Sequence, residues 1–177
     1  AEKEESQEIC FVPDGDYAGF IERYLEAEGR TAEAPTRGEI VDTSGARLGE
    51  HEGIHRYTVG QRRGLGVSRQ LPLYVVRIEP EQRRVVVGDA DALLGLEFEA
   101  VGINWIAFEE PLQDVRAQVR VRYRHTPAQA TITPLTGGRV RVRFDEPQRA
   151  ITPGQATVFY HGEEVLGGGW IAKNSVP

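Results

Sequence analysis

Methionine is absent from this 177-residue chain, and cysteine occurs once, at Cys10. A single thiol cannot close an internal disulfide, so the fold must rest on packing, which suits a reducing compartment. Natural open reading frames begin with methionine. A chain with none reads as a piece of something longer, opening on the solvated linker Ala1-Glu2-Lys3-Glu4-Glu5. Long apolar runs are missing too. A membrane helix needs about 20 consecutive apolar residues; there is no such run and no signal-peptide pattern, so a cytoplasmic protein with no membrane partner is expected. Lysine stands only at Lys3 and Lys173, and arginine supplies the rest of the basic charge. The net charge of −6 argues against nucleic-acid binding by the whole surface. The charge is uneven, however: acidic residues crowd positions 2–33, and arginines gather later.

What is present is an ordinary globular composition, long enough for two compact units. Tyr17, Phe20, Ile21, Tyr24 and Leu25 recur at helical spacing, with Asp14 or Asp16 as N-cap and Gly29 as the stop. This is the one convincing amphipathic helix. From Glu39 the signals are short strands: Glu39–Val41 before the turn Asp42-Thr43-Ser44-Gly45, Arg56–Val59, and the hairpin pair Leu73–Ile78 and Arg84–Val87. A further set covers Glu97–Ile106, Val115–Tyr123, Ala130–Pro134, Arg139–Phe144 and Thr157–Tyr160, closing with Val165–Gly169. The fold expected is mainly β with one helix (α+β). Residues 1–14 form a linker segment carrying Cys10, 15–88 a small central domain, and 89–177 a small antiparallel β-barrel.

Two strands alternate arginine with apolar residues: Val119-Arg120-Val121-Arg122-Tyr123-Arg124 and Arg139-Val140-Arg141-Val142-Arg143-Phe144. Period-two geometry buries Val119, Val121, Tyr123, Val140, Val142 and Phe144 and turns six guanidiniums outward. If the two strands pair, their outer face is an arginine stripe. Such a stripe suits a phosphate backbone, or it is a solvated face with cross-strand Glu and Asp partners. The alternation leaves both readings open.

His51-Glu52-Gly53-Ile54-His55 matches the His-Glu-x-x-His zinc pattern, which needs both histidines on one face of a helix. Gly49 and Gly53 disfavour a helix, so a turn and strand are expected and no metal site. Gly60-Gln61-Arg62-Arg63-Gly64-Leu65-Gly66 lacks the lysine and hydroxyl of a phosphate-binding loop. It reads as a tight hairpin, with Arg62 and Arg63 as secondary candidates for an RNA backbone. Cys10, flanked by Ile9 and Phe11, is either a buried small hydrophobe or the chain's one strong nucleophile.

Several stretches together resemble one family, the tRNA-specific 2-thiouridylases. They are Glu5-Ser6-Gln7-Glu8-Ile9-Cys10-Phe11, Gly38–Asp42, Gly49-x-His51-x-Gly53, Tyr57–Gly66 and Asn104-Trp105. Arg122-Tyr123-Arg124, Phe144–Pro147, Thr152-Pro153-Gly154-Gln155 and Leu166–Gly169 complete the set, in family order. The resemblance implies an ATP-dependent tRNA-uridine 2-sulfurtransferase that makes 2-thiouridine at the wobble position. This chain resembles its central and barrel domains, preceded by the segment with the second catalytic cysteine. The N-terminal ATP-pyrophosphatase domain, the ATP site and the first catalytic cysteine are missing.

The same resemblance makes Cys10 the persulfide carrier, charged by a sulfur-relay protein or a cysteine desulfurase. It makes Arg122, Tyr123 and Gln155 tRNA contacts. Arg122 agrees with the outward face derived from alternation, whereas Tyr123 falls on the inward one. The competing expectation is a non-catalytic RNA-binding module in which Cys10 is structural.

Overall fold

The computed structural model describes residues 12, 16–31, 36–67, 71–109, 111–123 and 125–173. The chain divides into two compact units, Ala1–Gly88 and Asp89–Pro177. Among the described residues, one α-helix and ten strands make a mainly β architecture, as expected.

In the first unit, α1 (Tyr17–Ala27) begins where the Asp16 carboxylate accepts the Gly19 amide at 3.0 Å, and Gly29, at φ +68°, follows its end. None of its residues is fully buried. Glu22 ties it to a 3-10 turn at Ile54–Arg56, accepting from His55 Nε2 at 2.9 Å and Arg56 at 2.7 Å. Strands β1 (Gly38–Asp42), β2 (Arg47–His51), β3 (Tyr74–Glu79) and β4 (Arg84–Gly88) form a sheet of order β2-β1-β4-β3. The β1–β2 turn is held by Asp42, whose carboxylate accepts the amides of Ser44 and Ala46 at 3.0 Å each. β1 lies parallel to β4. Ile40, Leu65, Val75, Val85 and Val87 form the core beneath them.

The expected strand over Arg56–Val59 does not form. The Tyr57 amide bonds Ile54 O at 3.1 Å, and Thr58 and Gln61 bond each other through Thr58 N to Gln61 Oε1 and Gln61 N to Thr58 O. These local bonds take the backbone groups that a strand would pair. β2 went unmarked because Arg-Leu-Gly-Glu-His carries one apolar residue and no alternation.

The second unit is a closed barrel of six strands: β5 (Leu94–Trp105), β6 (Val115–Arg120), β7 (Ala128–Leu135), β8 (Arg139–Arg149), β9 (Ala156–His161) and β10 (Glu164–Ile171). Their order around it is β10-β5-β8-β7-β6-β9, and every pairing is antiparallel. Phe98, Phe144 and Phe159 fill the interior with Val119, Ile132 and Val142.

Of the two open readings of the arginine strands the structure shows the carboxylate-paired face, and it corrects the inward placement of Tyr123. β6 and β8 do not pair, because β7 lies between them: Arg116 sits opposite Thr131, and Thr131 opposite Arg143. Two arginines of β8 meet carboxylates of β5 instead, Arg139 to Glu99 at 3.2 Å and Arg143 to Glu97 at 3.6 Å, while Arg116 grips Asp145 through Nη1 and Nη2. The continuous stripe is therefore absent and much of this face is paired. Tyr123 is not core: it is 68% exposed, since β6 ends at Arg120 and the chain turns before reaching it. Val119, Val121, Val140, Val142 and Phe144 are buried as alternation requires.

Phe159 is fully buried, with its ring 5.7 Å from that of Trp105. Replacing it by alanine should cost about 3–5 kcal/mol, read as a lower urea midpoint. Phe108→Ala, at an exposed ring stacked on the same tryptophan, should cost several-fold less.

Candidate functional site

The end of β6 builds the site. Val121 is buried in the barrel core, which holds the chain fast up to the point where it turns. The His125 amide then bonds Arg122 O at 3.2 Å and closes a turn that carries Arg122 and the exposed ring of Tyr123. Arg122 Nη1 donates to Arg149 O at 2.7 Å. Unlike Arg116, Arg139 and Arg143, it has no carboxylate in ion-pair range among the described residues, so its charge stands uncompensated.

His125 packs behind this turn. Gln148 Nε2 donates to Glu146 O at 2.8 Å, which points Gln148 Oε1 at His125 Nε2, 3.1 Å away. The imidazole therefore donates through Nε2 in its neutral form. Burial, reinforced by the Arg122 charge, holds it below its ordinary value of 6.5.

Gln155 stands immediately before β9. Gly154 turns at φ +83° and donates to Ile171 O at 2.8 Å, while Ile171 N donates to Gln155 O at 2.9 Å. A β-carbon at φ +83° is strained, so glycine suits this turn. The Gln155 backbone is thereby fixed against the end of β10. Its side-chain Oε1 is buried with no donor among the described residues, an arrangement that favours a ligand or water N–H or O–H there.

Arg122, Tyr123 and Gln155 line one open concavity of about 400 Å³ with Gly154, Ala156 and Trp170. Residues more than thirty positions apart thus meet at one end of the barrel wall. Trp170, 57% exposed, was missed in the sequence because the expected last strand stopped at Gly169. An indole directly following three glycines was the available signal.

The other candidates lie elsewhere. Arg62 and Arg63 are exposed on a loop of the first unit. That loop is no phosphate cradle: Gly60 N is bonded to Val75 O at 2.8 Å, Gln61 N to Thr58 O at 2.9 Å, and it holds no lysine. This loop thus does not fit the phosphates of a nucleoside triphosphate. His51 Nε2 lies 3.0 Å from Arg83 O, whereas His55 faces Glu22, so the two histidines point to separate partners. Cys10 lies outside the described residues.

Two family models match the chain. Residues 19–89 match the tRNA methyl transferase PRC-barrel domain, and residues 96–171 the aminomethyltransferase beta-barrel domain. Among curated proteins, the tRNA-specific 2-thiouridylase MnmA of Solibacter usitatus is 55% identical over 174 residues, 97% of this chain and 47% of that protein. Its namesake in Geobacter metallireducens is 52% identical over 171 residues, 97% of this chain and 45% of the relative. That of Acidobacterium capsulatum is 50% identical over 175 residues, 97% and 46%. The chain spans about half the length of the curated relatives it matches.

The lowered basicity of His125 has a definite sign. Below 6.5 the unfolded chain takes up a proton that the native imidazole resists, so this contribution to stability is complete above 6.5 and is lost as pH falls through the lower native value. An NMR titration of the imidazole C–H signals should place His125 below 6.5, and Arg122→Ala should move it upward; a midpoint at or above 6.5 contradicts the placement.

Proposed function

Because the chain belongs to the tRNA-specific 2-thiouridylase family, we propose that it is the tRNA-gripping and sulfur-carrying part of a tRNA-uridine 2-sulfurtransferase. The observation that carries the reading is the meeting of Arg122, Tyr123 and Gln155 in one open hollow. A guanidinium with no carboxylate neighbour attracts a phosphate, an exposed ring offers a stacking face, and a buried amide oxygen asks for a donor. That combination suits a nucleic acid more than a small apolar ligand. The Arg122 guanidinium at the hollow gives RNA a local positive contact on a chain whose net charge is −6.

In this reading Cys10 carries a persulfide whose terminal sulfur attacks C2 of the wobble uridine and displaces its adenylated oxygen as AMP. A second cysteine beyond this chain then takes the inner sulfur of Cys10 into a disulfide, which a thiol reductant resets. A thiolate is the form that accepts and holds such a sulfur, and Cys10 is the chain's only thiol. The sulfur arrives from a relay protein or a cysteine desulfurase. Activation of the base with ATP belongs to a part of the protein beyond this chain, in an N-terminal ATP-pyrophosphatase domain. Cys10, the barrel hollow and that domain would act together in the cytoplasm. Arg62 and Arg63 are secondary contacts to the RNA backbone.

Replacing Cys10 by serine in the full-length gene should abolish wobble 2-thiouridine in bulk tRNA, as read by mass spectrometry, at unchanged protein abundance. Normal thiolation would leave Cys10 structural and the chain an RNA-binding module. Arg122→Ala should weaken tRNA binding and reduce the slope of log K against log salt by about one.

A further inference from the structure

We propose that Trp170 is a base-stacking residue, and that the glycine-floored groove beside it seats an unpaired nucleotide next to the one held at Arg122 and Gln155. This rests on the RNA reading above and extends it to a surface that nothing else assigns.

The phase of β10 sets where the indole lies. Leu166 and Ile171 are both buried, yet they stand five residues apart, a spacing that unbroken alternation would put on opposite faces. Register shifts between Val165 and Gly167 against β9, and between Gly168 and Trp170 against β5, absorb the extra residue. Without such a bulge Trp170, four residues after Leu166, would share its inward face. With it, the indole is turned out and is 57% exposed. A large aromatic side chain placed outside by a bulge calls for a partner.

The glycines that permit the bulge also clear the floor. A β-carbon on Gly167 would lie 2.6 Å from Asn104 O, on Gly168 2.5 Å from Thr157 O, and on Gly169 2.7 Å from Val101 O. Backbones this close admit no side chain, so this part of the wall is bare. The result is a second open groove of about 320 Å³, floored by Gly167–Gly169 and edged by Asn104, Ile106 and Trp170. Trp170 and Ala156 line both this groove and the Arg122 concavity, so the indole stands where the two hollows adjoin. A methyl group on Gly102 would sit 3.5 Å from Trp170 Cδ1, placing that bare backbone against the ring as well.

The occupant follows from the chemistry. An exposed indole beside a smooth apolar floor accepts a flat ring, and every base has a π-face. The exposed Asn104 side chain supplies amide donors and an acceptor for a base edge. The uncompensated Arg122 charge at the adjoining hollow provides the complement for the connecting phosphate. Tyr123 offers a second exposed ring in that hollow. Two aromatic rings, one guanidinium and one bare floor make a track for consecutive unpaired nucleotides. An apolar protein segment would gain nothing from Arg122.

The test is titration of the 177-residue chain with a tRNA transcript, following labelled-RNA anisotropy at several salt concentrations. Trp170→Ala should weaken binding roughly 5- to 100-fold without changing the salt slope, since a neutral ring releases no counterions. Trp170→Phe, which keeps a π-face, should recover most of the affinity, and both variants should melt like the unaltered chain. If Arg122→Ala weakens binding while Trp170→Ala does not, stacking is refuted and the RNA reading stands. If neither weakens it, the RNA reading fails and takes this inference with it. If Trp170→Phe binds as poorly as Trp170→Ala, or both melt early, the indole is structural and the proposal is overturned.

Discussion

Closure of the barrel along β10 is the constraint from which the arrangement of the second unit follows. This strand must meet β5 on one side and β9 on the other, and at Gly167, Gly168 and Gly169 the neighbouring backbone comes too close for a β-carbon. Closure leaves no unpaired strand edge. It also fixes the start of β9, because the Gly154 and Gln155 backbone is bonded to Ile171. Gln155 and Trp170 face one hollow because both are anchored to this seam. Arg122 joins them from the neighbouring strand, as β6 pairs with β9.

Electrostatic pairing divides the barrel surface into used and unused charge. On β8 the alternation of arginine with valine serves the fold: the valines fill the core and two of the arginines meet glutamates of β5. Past the end of β6 the pattern changes. Arg122 is anchored through a carbonyl, which orients the guanidinium without cancelling its charge. Side chains of the same type, in similar sequence surroundings, thus do different work according to whether a carboxylate faces them across the ladder.

Much of this was legible in the chain and some was not, for identifiable reasons. The helix from Tyr17 had an amphipathic period and a capping aspartate. The barrel strands had alternation, with inward residues such as Val140, Val142 and Phe144 correctly phased. Alternation failed at Tyr123, because it does not record where pairing stops; at β10 three successive glycines leave no alternation to read, so the bulge has no mark in the sequence. Arg-Leu-Gly-Glu-His forms a strand through hydrogen bonds to β1 rather than through its own pattern. The likeness of Arg122, Tyr123 and Gln155 to a family motif named three residues whose common hollow spacing alone does not reveal. Trp170 belongs to that hollow through a register shift, which is a property of pairing between strands.

The order of strands around the barrel has a consequence for synthesis. β5, first of the six to leave the ribosome, has β10, the last, as one of its two neighbours. Until residues up to Ile171 are available, β5 and β9 each present an open edge to other chains in the cell. A stop or a cleavage ahead of the three glycines would therefore leave two sticky ribbons rather than a smaller barrel, and the strand bearing the exposed indole doubles as the guard against aggregation.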